Sequence, residues 1–267
     1  MKYCLCIKAG ELFMTDAKRK EVLELLLKNC NPGKIIDENL PSCLYKYRSG
    51  NNWDLDALEN DLIWMGSAIK MDDPLDSKVL LTNEFKAQID YVVNNVEHFK
   101  DEKYRVHLND NSIQKDCFLC SFSEIGDSQE MWERYANSEQ GFCIEYDAKT
   151  LIAKIGLPLF PVYYDEKSRY DAKTFSCLSK EELIFTNFLI KNKVGVNGED
   201  WYSQREWRII GFRKNLEINE TEDKGKYIQI IKPTRIILGR HVLDDVRMRI
   251  LNWKAKEGNE EVIIEQR

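Results

Sequence analysis

The stretch CFLCSFSEIGDSQEMWERYANSEQGFCIEYD, residues 117–147, decides the fold class. Cys117 to Ser123 is a short apolar run with aromatic residues, which reads as a buried strand. Ser128 supplies a hydroxyl cap for a helix running to Ala136, and Gly141 to Tyr146 returns as a second strand. The turn between strand and helix carries no glycine-rich phosphate-binding pattern. This is therefore not the opening unit of a doubly wound, dinucleotide-binding sheet.

The same irregular alternation of strands and helices continues on both sides of this stretch. Leu44 to Arg48 reads as an aromatic strand ending at the turn Ser49 to Asn52, followed by a helix over Leu55 to Asp61 and a strand over Leu62 to Met65. Met71 to Asp76 is a loop held by Pro74. Thr82 to Lys100 reads as a helix with Phe85, Ile89, Val92, Val93 and Val96 on its apolar side. Downstream, Pro161 to Tyr164 reads as a strand. A long helix over Lys180 to Val194 begins near the capping signal Ser179-x-x-Glu182. Strands follow at Glu206 to Phe212, Tyr227 to Ile231 and Arg235 to Leu238, then a helix over Asp244 to Lys254 and a strand over Val262 to Glu265. The expected class is α+β, a mixed or antiparallel sheet flanked by helices. Residues 41–267 form one domain in this reading. Residues 1–40 form a helical extension, whose Ala17 to Cys30 helix stops at Asn31-Pro32-Gly33.

Composition narrows the function. With 39 basic residues against 45 acidic ones and no run of Lys or Arg, the chain does not read as a coat for duplex nucleic acid. Its hydrophobic content of 43% is too high for a disordered chain. No apolar run is long enough to span a bilayer, and Met1 to Phe13 lacks the apolar centre of a signal peptide. The cysteines sit mostly within apolar stretches, as buried free thiols do, so a cytoplasmic location is expected.

Four polar stretches stand out: Arg48 ending the first strand, the Asp72-Asp73-Pro74-x-Asp76 loop, Ser121-Phe122-Ser123 with Trp132 and Tyr135 beyond it, and Trp201 to Arg208. Each has an ordinary structural reading as a salt bridge, a turn, a satisfied hydroxyl or a core aromatic. Other chemistries find less support. Cys117-x-x-Cys120 has no second pair at zinc spacing, and His98, His107 and His241 are scattered. There is no P-loop and no Gly-x-Ser-x-Gly elbow.

Taken in order, these motifs resemble a bacterial family known as domain of unknown function 2971. The resemblance rests on Leu44 to Arg48, Leu62-Ile63-Trp64, Asp72 to Asp76, Phe122-Ser123, Met131-Trp132-x-x-Tyr135, Gly141 to Asp147, Trp201 to Arg208 and Ile236 to Gly239. Asp72 stands where the family has asparagine, and Gln204 where it has the first glutamate of a Glu-x-Glu pair.

The order of Arg48, Ser123 and Gln204-x-Glu206 is in turn similar to the arginine–serine–glutamate arrangement of ADP-ribosyltransferases. That resemblance implies an ADP-ribosyltransferase-like fold and NAD as the substrate. Arg48 would grip the diphosphate, Ser121 and Ser123 the nicotinamide-side ribose, and Trp132 or Tyr135 would stack on a ring. Glu206 would stabilise the oxocarbenium character that develops as the nicotinamide–ribose bond breaks, with Gln204 reaching the acceptor. The acceptor would be a protein or nucleic acid, and the context a toxin or phage-defence effector, with an antitoxin or defence-system partner. Two alternatives stay open. One is a metal-dependent nuclease or phosphoesterase using Asp72, Asp73, Asp76 and Glu206. The other is a non-catalytic nucleotide sensor.

Overall fold

A computed structural model of the chain describes residues 13–28, 31–73, 75–77, 82–95, 112–166, 187–219 and 224–267. Two helices lead, α1 (Asp16–Leu27) and α2 (Pro32–Asn39). Then come β1 (Cys43–Arg48), α3 (Asn52–Glu59), β2 (Leu62–Ser67), α4 (Asn83–Asn95), α5 (Ser112–Lys115) and β3 (Cys117–Ser123). Next are α6 (Gln129–Tyr135), β4 (Phe142–Asp147), α7 (Ala148–Ile155), β5 (Leu159–Pro161), β6 (Tyr163–Asp165) and β7 (Ile190–Asn192). The chain closes with β8 (Glu206–Phe212), β9 (Gly225–Gln229), β10 (Arg235–Leu238), α8 (Asp244–Lys254) and β11 (Ile263–Gln266).

The architecture is α+β with a mixed, mostly antiparallel sheet. Its strands run in the order β11-β10-β4-β1-β3-β2-β9, with β8 also paired to β3 and β5 to β8. Among the described strands of this sheet only β10 and β11 are parallel, and β6 with β7 makes a separate parallel pair. The strand β3 is the hub. One edge pairs with β8 along its whole length, from Cys117↔Phe212 to Ser123↔Glu206. The other edge is shared: Phe118 and Leu119 pair with β2, and Ser123 pairs with Tyr45 of β1. Between them on that edge, residues 120–122 face no strand among the described residues, and the sheet splits there.

Several expectations need correction. Asn31-Pro32-Gly33 does not merely stop a helix; it starts α2, with the Asn31 side chain accepting from Lys34 N at 3.3 Å and Pro32 in the first turn. The strand expected over Pro161 to Tyr164 is two strands, because Pro161 ends β5 and Tyr163 opens the pair with β7. The long helix to Val194 ends early: residues 187–189 are helical, and Ile190 enters β7 beside Tyr163. Most of that helix, Pro74, residues 96–100 and residues 1–12 lie outside the described residues. The sequence reading missed α7 altogether, although Asp147 caps it on Thr150 N at 2.8 Å and Gly156 ends it with a left-handed φ of 65°.

Val22, Leu23 and Leu26 of α1 and Ile35 and Ile36 of α2 are buried in the same core as Leu44, Ile63, Phe118, Trp207 and Trp253. Each such side chain contributes about 1.5–3 kcal/mol by burial. Arg19 of α1 is fully buried as well. It donates to the carbonyls of Val162 (2.8 Å) and Glu206 (2.9 Å) and pairs with Glu124 at 2.8 Å. The N-terminal helices thus hold the backbone of β8.

Two of the motif glycines have a steric reason. A Cβ on Gly141 would lie 2.1 Å from the Arg48 carbonyl, and one on Gly239 2.1 Å from the Glu139 carbonyl. Backbone passes too close there for any side chain. No described helix is long and apolar enough to cross a membrane.

Candidate functional site

The split in the sheet opens a cleft of about 290 Å³. Side chains alternate along β1, so Lys46 and Arg48 leave it on the face opposite Tyr45 and Tyr47. Pairing across β3 and β8 puts Ser121, Ser123, Glu206 and Arg208 on one face with Tyr45. Residues from both faces nevertheless line the one cleft, because the gap between β1 and β3 connects them. Arg48, Ser121, Ser123, Tyr135, Gln204 and Glu206 are therefore brought together.

Four buried charges form one wall. Arg208 uses all five of its N–H groups. Its Nε donates to Glu206 Oε1 at 2.6 Å and its Nη2 to Glu206 Oε2 at 3.0 Å. Nη1 and Nη2 reach the two Asp76 oxygens at 2.7 and 2.5 Å, and Nη1 also donates to the Phe188 carbonyl at 3.0 Å. Lys191 of β7 sits 3.4 Å from Asp76 and 3.8 Å from Glu206. Burial by itself would raise both carboxyls, but Arg208 and then Lys191 outweigh it and hold each below the usual carboxylate range. Glu206 is thus a fixed anion at the cleft, with two of its roughly four acceptor positions taken by Arg208.

Gln204 is held at both ends of its amide. Lys191 donates to its Oε1 at 3.3 Å, and its Nε2 donates to Tyr135 Oη at 2.8 Å. The lysine also lies over the Trp201 ring, 4.2 Å from the centroid, with Arg134 over the same ring at 4.3 Å. On the far wall Arg48 faces Asp54 at 3.5 Å, and Lys46 Nζ donates to the Ser121 carbonyl at 2.6 Å. Trp64, Phe122, Met131 and Tyr135 give the cleft apolar surface, and Lys70, Asp72 and Lys224 line it too.

Two of the expected ligand-binding residues do something else. Trp132 has no exposed surface; it packs edge-on to Tyr47 at 5.3 Å, so it is core and cannot stack on a ligand. The Ser123 hydroxyl is committed to backbone, donating to the Gln204 carbonyl (2.8 Å) and accepting from Ile125 N (3.0 Å). It positions Gln204, and the half-buried Ser121 beside it lines the cleft with no side-chain hydrogen bond among the described residues. In the acidic loop, Asp73 accepts from Leu75 N at 2.9 Å, which is turn chemistry, and Asp76 belongs to Arg208. Cys117 and Cys120, three apart on a strand, point to opposite faces and cannot share a metal. Among the described residues no group of three or more His, Cys, Asp or Glu is placed to hold a metal ion.

Sequence reasoning missed Lys46, Lys191 and the bridging role of Arg208. Lys46 and Arg208 each stand two residues from a selected side chain on the same strand face, a spacing that marks them as neighbours. Nothing local marks Lys191, which reaches the cleft through pairing with β6.

No curated protein sequence and no solved structure matches the chain. Residues 131–209, which carry the Met131-Trp132-x-x-Tyr135, Gly141 to Asp147 and Trp201 to Arg208 motifs, match the model of a family described as a protein of unknown function (DUF2971), the same family that the motifs resemble.

Proposed function

We propose that the cleft binds NAD and transfers its ADP-ribose to a protein or nucleic-acid acceptor. The observation that carries the reading is that Arg48 and Glu206, whose carboxyl Arg208 holds below the usual range, line one cleft at the split in the β-sheet. The charges support it. Asp76 and Glu206 are offset by Arg208 and Lys191, which leaves Lys46, Arg48, Lys70 and Lys224 against Asp72 among the ionised side chains lining the cleft. That balance suits an anion, and the Trp64 and Tyr135 surfaces suit a planar ring.

In this mechanism the diphosphate lies toward Arg48 and the nicotinamide-side ribose toward Glu206. Breaking the C–N bond sends its electron pair to nicotinamide and leaves positive character on the ribose ring. Glu206, accepting a hydrogen bond from a ribose hydroxyl, stabilises that charge. Arg208 and Lys191 keep the carboxylate ionised and immobile, so little reorganisation accompanies the bond cleavage. The acceptor nucleophile then bonds to the anomeric carbon and releases its proton to water. Gln204, fixed by Lys191 and Tyr135, stands beside the path of approach.

The test is NAD consumption by wild type, Glu206→Gln and Arg48→Met, each checked for folding. The proposal expects turnover by wild type, loss of roughly 100-fold or more in Glu206→Gln, in keeping with removal of a charge-stabilising group, and weaker NAD binding in Arg48→Met. Nucleotide binding with no turnover under any acceptor condition would favour a sensor instead.

A further inference from the structure

The split edge of β3 leaves a backbone carbonyl, that of Ser121, with no strand to pair it. Lys46 takes that role, donating at 2.6 Å from β1. This one contact gives the carbonyl a protein partner while the cleft stays open. It uses only one of the three ammonium hydrogens.

The charge on Lys46 is the unusual part. Arg208 and Lys191 each face two carboxylates, and Arg48 faces Asp54. Lys46 makes no ion pair among the described residues. Its other close neighbour is the Phe122 ring, 5.7 Å from Nζ to the centroid. Burial pulls its proton affinity below that of an ordinary lysine; Cys120 opposes this most, Arg48 adds to the lowering, and Glu206 and Asp54 oppose it less. A half-buried ammonium group in the cleft lining with no ion pair is less favourable than a paired one, and the missing anion is naturally supplied by a ligand.

Lys46 and Arg48 leave the same face of β1, about 6.6 Å apart along the strand at roughly 3.3 Å per residue. We propose that Lys46 is a phosphate-binding residue that acts with Arg48 to select ligands carrying a diphosphate. One donor stays on the Ser121 carbonyl, and the other two meet the phosphate oxygens. This inference rests on the cleft being a nucleotide site but not on transfer taking place there.

The experiment measures the affinities of ADP and adenosine for wild type, Lys46→Gln, Lys46→Met and Lys46→Arg. Lys46→Gln keeps an N–H donor for Ser121 while removing the charge. Wild type is expected to prefer ADP at least tenfold. The Gln and Met variants should lose about 10- to 100-fold in ADP affinity, the value of charge-assisted hydrogen bonds, with adenosine binding unchanged. Lys46→Arg should recover part of the preference. Should the neutral variants not fold, acylation of wild-type Lys46 gives the same answer: ADP should protect it and adenosine should not. An unchanged ADP preference in the folded neutral variants, equal labelling with both ligands, or no ADP preference in wild type would overturn the proposal. ADP selectivity that depends on Lys46, without NAD turnover, would remove the transferase reading and leave this one standing. Turnover with an unaltered KM in Lys46→Gln would do the reverse.

Discussion

Arg208→Met tests whether the wall behind Glu206 is a balanced ionic unit. Arginine at this position is 1% exposed and satisfies Asp76 and Glu206 together with its planar fork. Methionine approximates the stem and removes the charge. Asp76 and Glu206 are then left sharing Lys191 alone, with one buried negative charge uncompensated. Breaking a buried pair in this way costs about 3–5 kcal/mol. At roughly 2–4 °C per kcal/mol for a domain of this size, the melting temperature should fall by roughly 6–20 °C at pH 7.

The pH dependence provides the sharper check. In wild type both carboxyls sit below their unfolded values, so their stabilisation is complete above about pH 5 and is lost progressively as the pH falls toward their folded values. In Arg208→Met burial is no longer outweighed, and at least one carboxyl should move above its unfolded value. The folded variant then binds a proton more readily than the unfolded chain and gains stability as the pH falls. Urea unfolding at pH 7.5 and pH 5 should therefore show the gap between the two proteins narrowing at pH 5. A loss under about 1 kcal/mol, typical of an exposed pair, or a gap that does not change with pH, would mean that the four charges do not act as one unit.

Ser123→Ala should destabilise the fold by about 1–3 kcal/mol, since it leaves Ile125 N and the Gln204 carbonyl unpaired. Ser121→Ala should change stability by less than about 0.5 kcal/mol while weakening nucleotide binding; denaturant titrations and ligand titrations separate the two. Gly141→Ala should cost at least about 1–3 kcal/mol, as expected for overpacking against fixed backbone, and lower the yield of folded protein. Arg19→Met, measured by thermal unfolding, should lose about 3–5 kcal/mol by stranding buried Glu124, and should reduce nucleotide binding by loosening β8.

Much of this fold is legible in the chain because its strands have strong local signatures. β3, β8, β10 and α8 fall where their apolar patterns put them. The elements that escaped are those set by distant partners. Ile190 to Asn192 looks like the end of a helix and becomes a strand because Tyr163 to Asp165 lies beside it. The short helix after Asp147 carries both a cap and a glycine stop, so there the signal was present and unread. At the site, residue type and order brought Arg48, Ser121, Gln204 and Glu206 into view. Which serine hydroxyl is free and which aromatic is buried depend on hydrogen bonds and packing that no linear pattern records. Trp132 and Tyr135, three apart on one helix, show the difference: one is sealed against Tyr47, the other opens on the cleft and holds Gln204.

The decisive experiment for the transferase proposal follows label from the adenylate half of NAD in a cell lysate, with wild type beside Glu206→Gln. Label appearing on a macromolecule with wild type, and lost with the folded variant, is the result expected. No loss of NAD and no label with wild type, or equal labelling by both proteins, would contradict the role proposed for the cleft and its carboxylate.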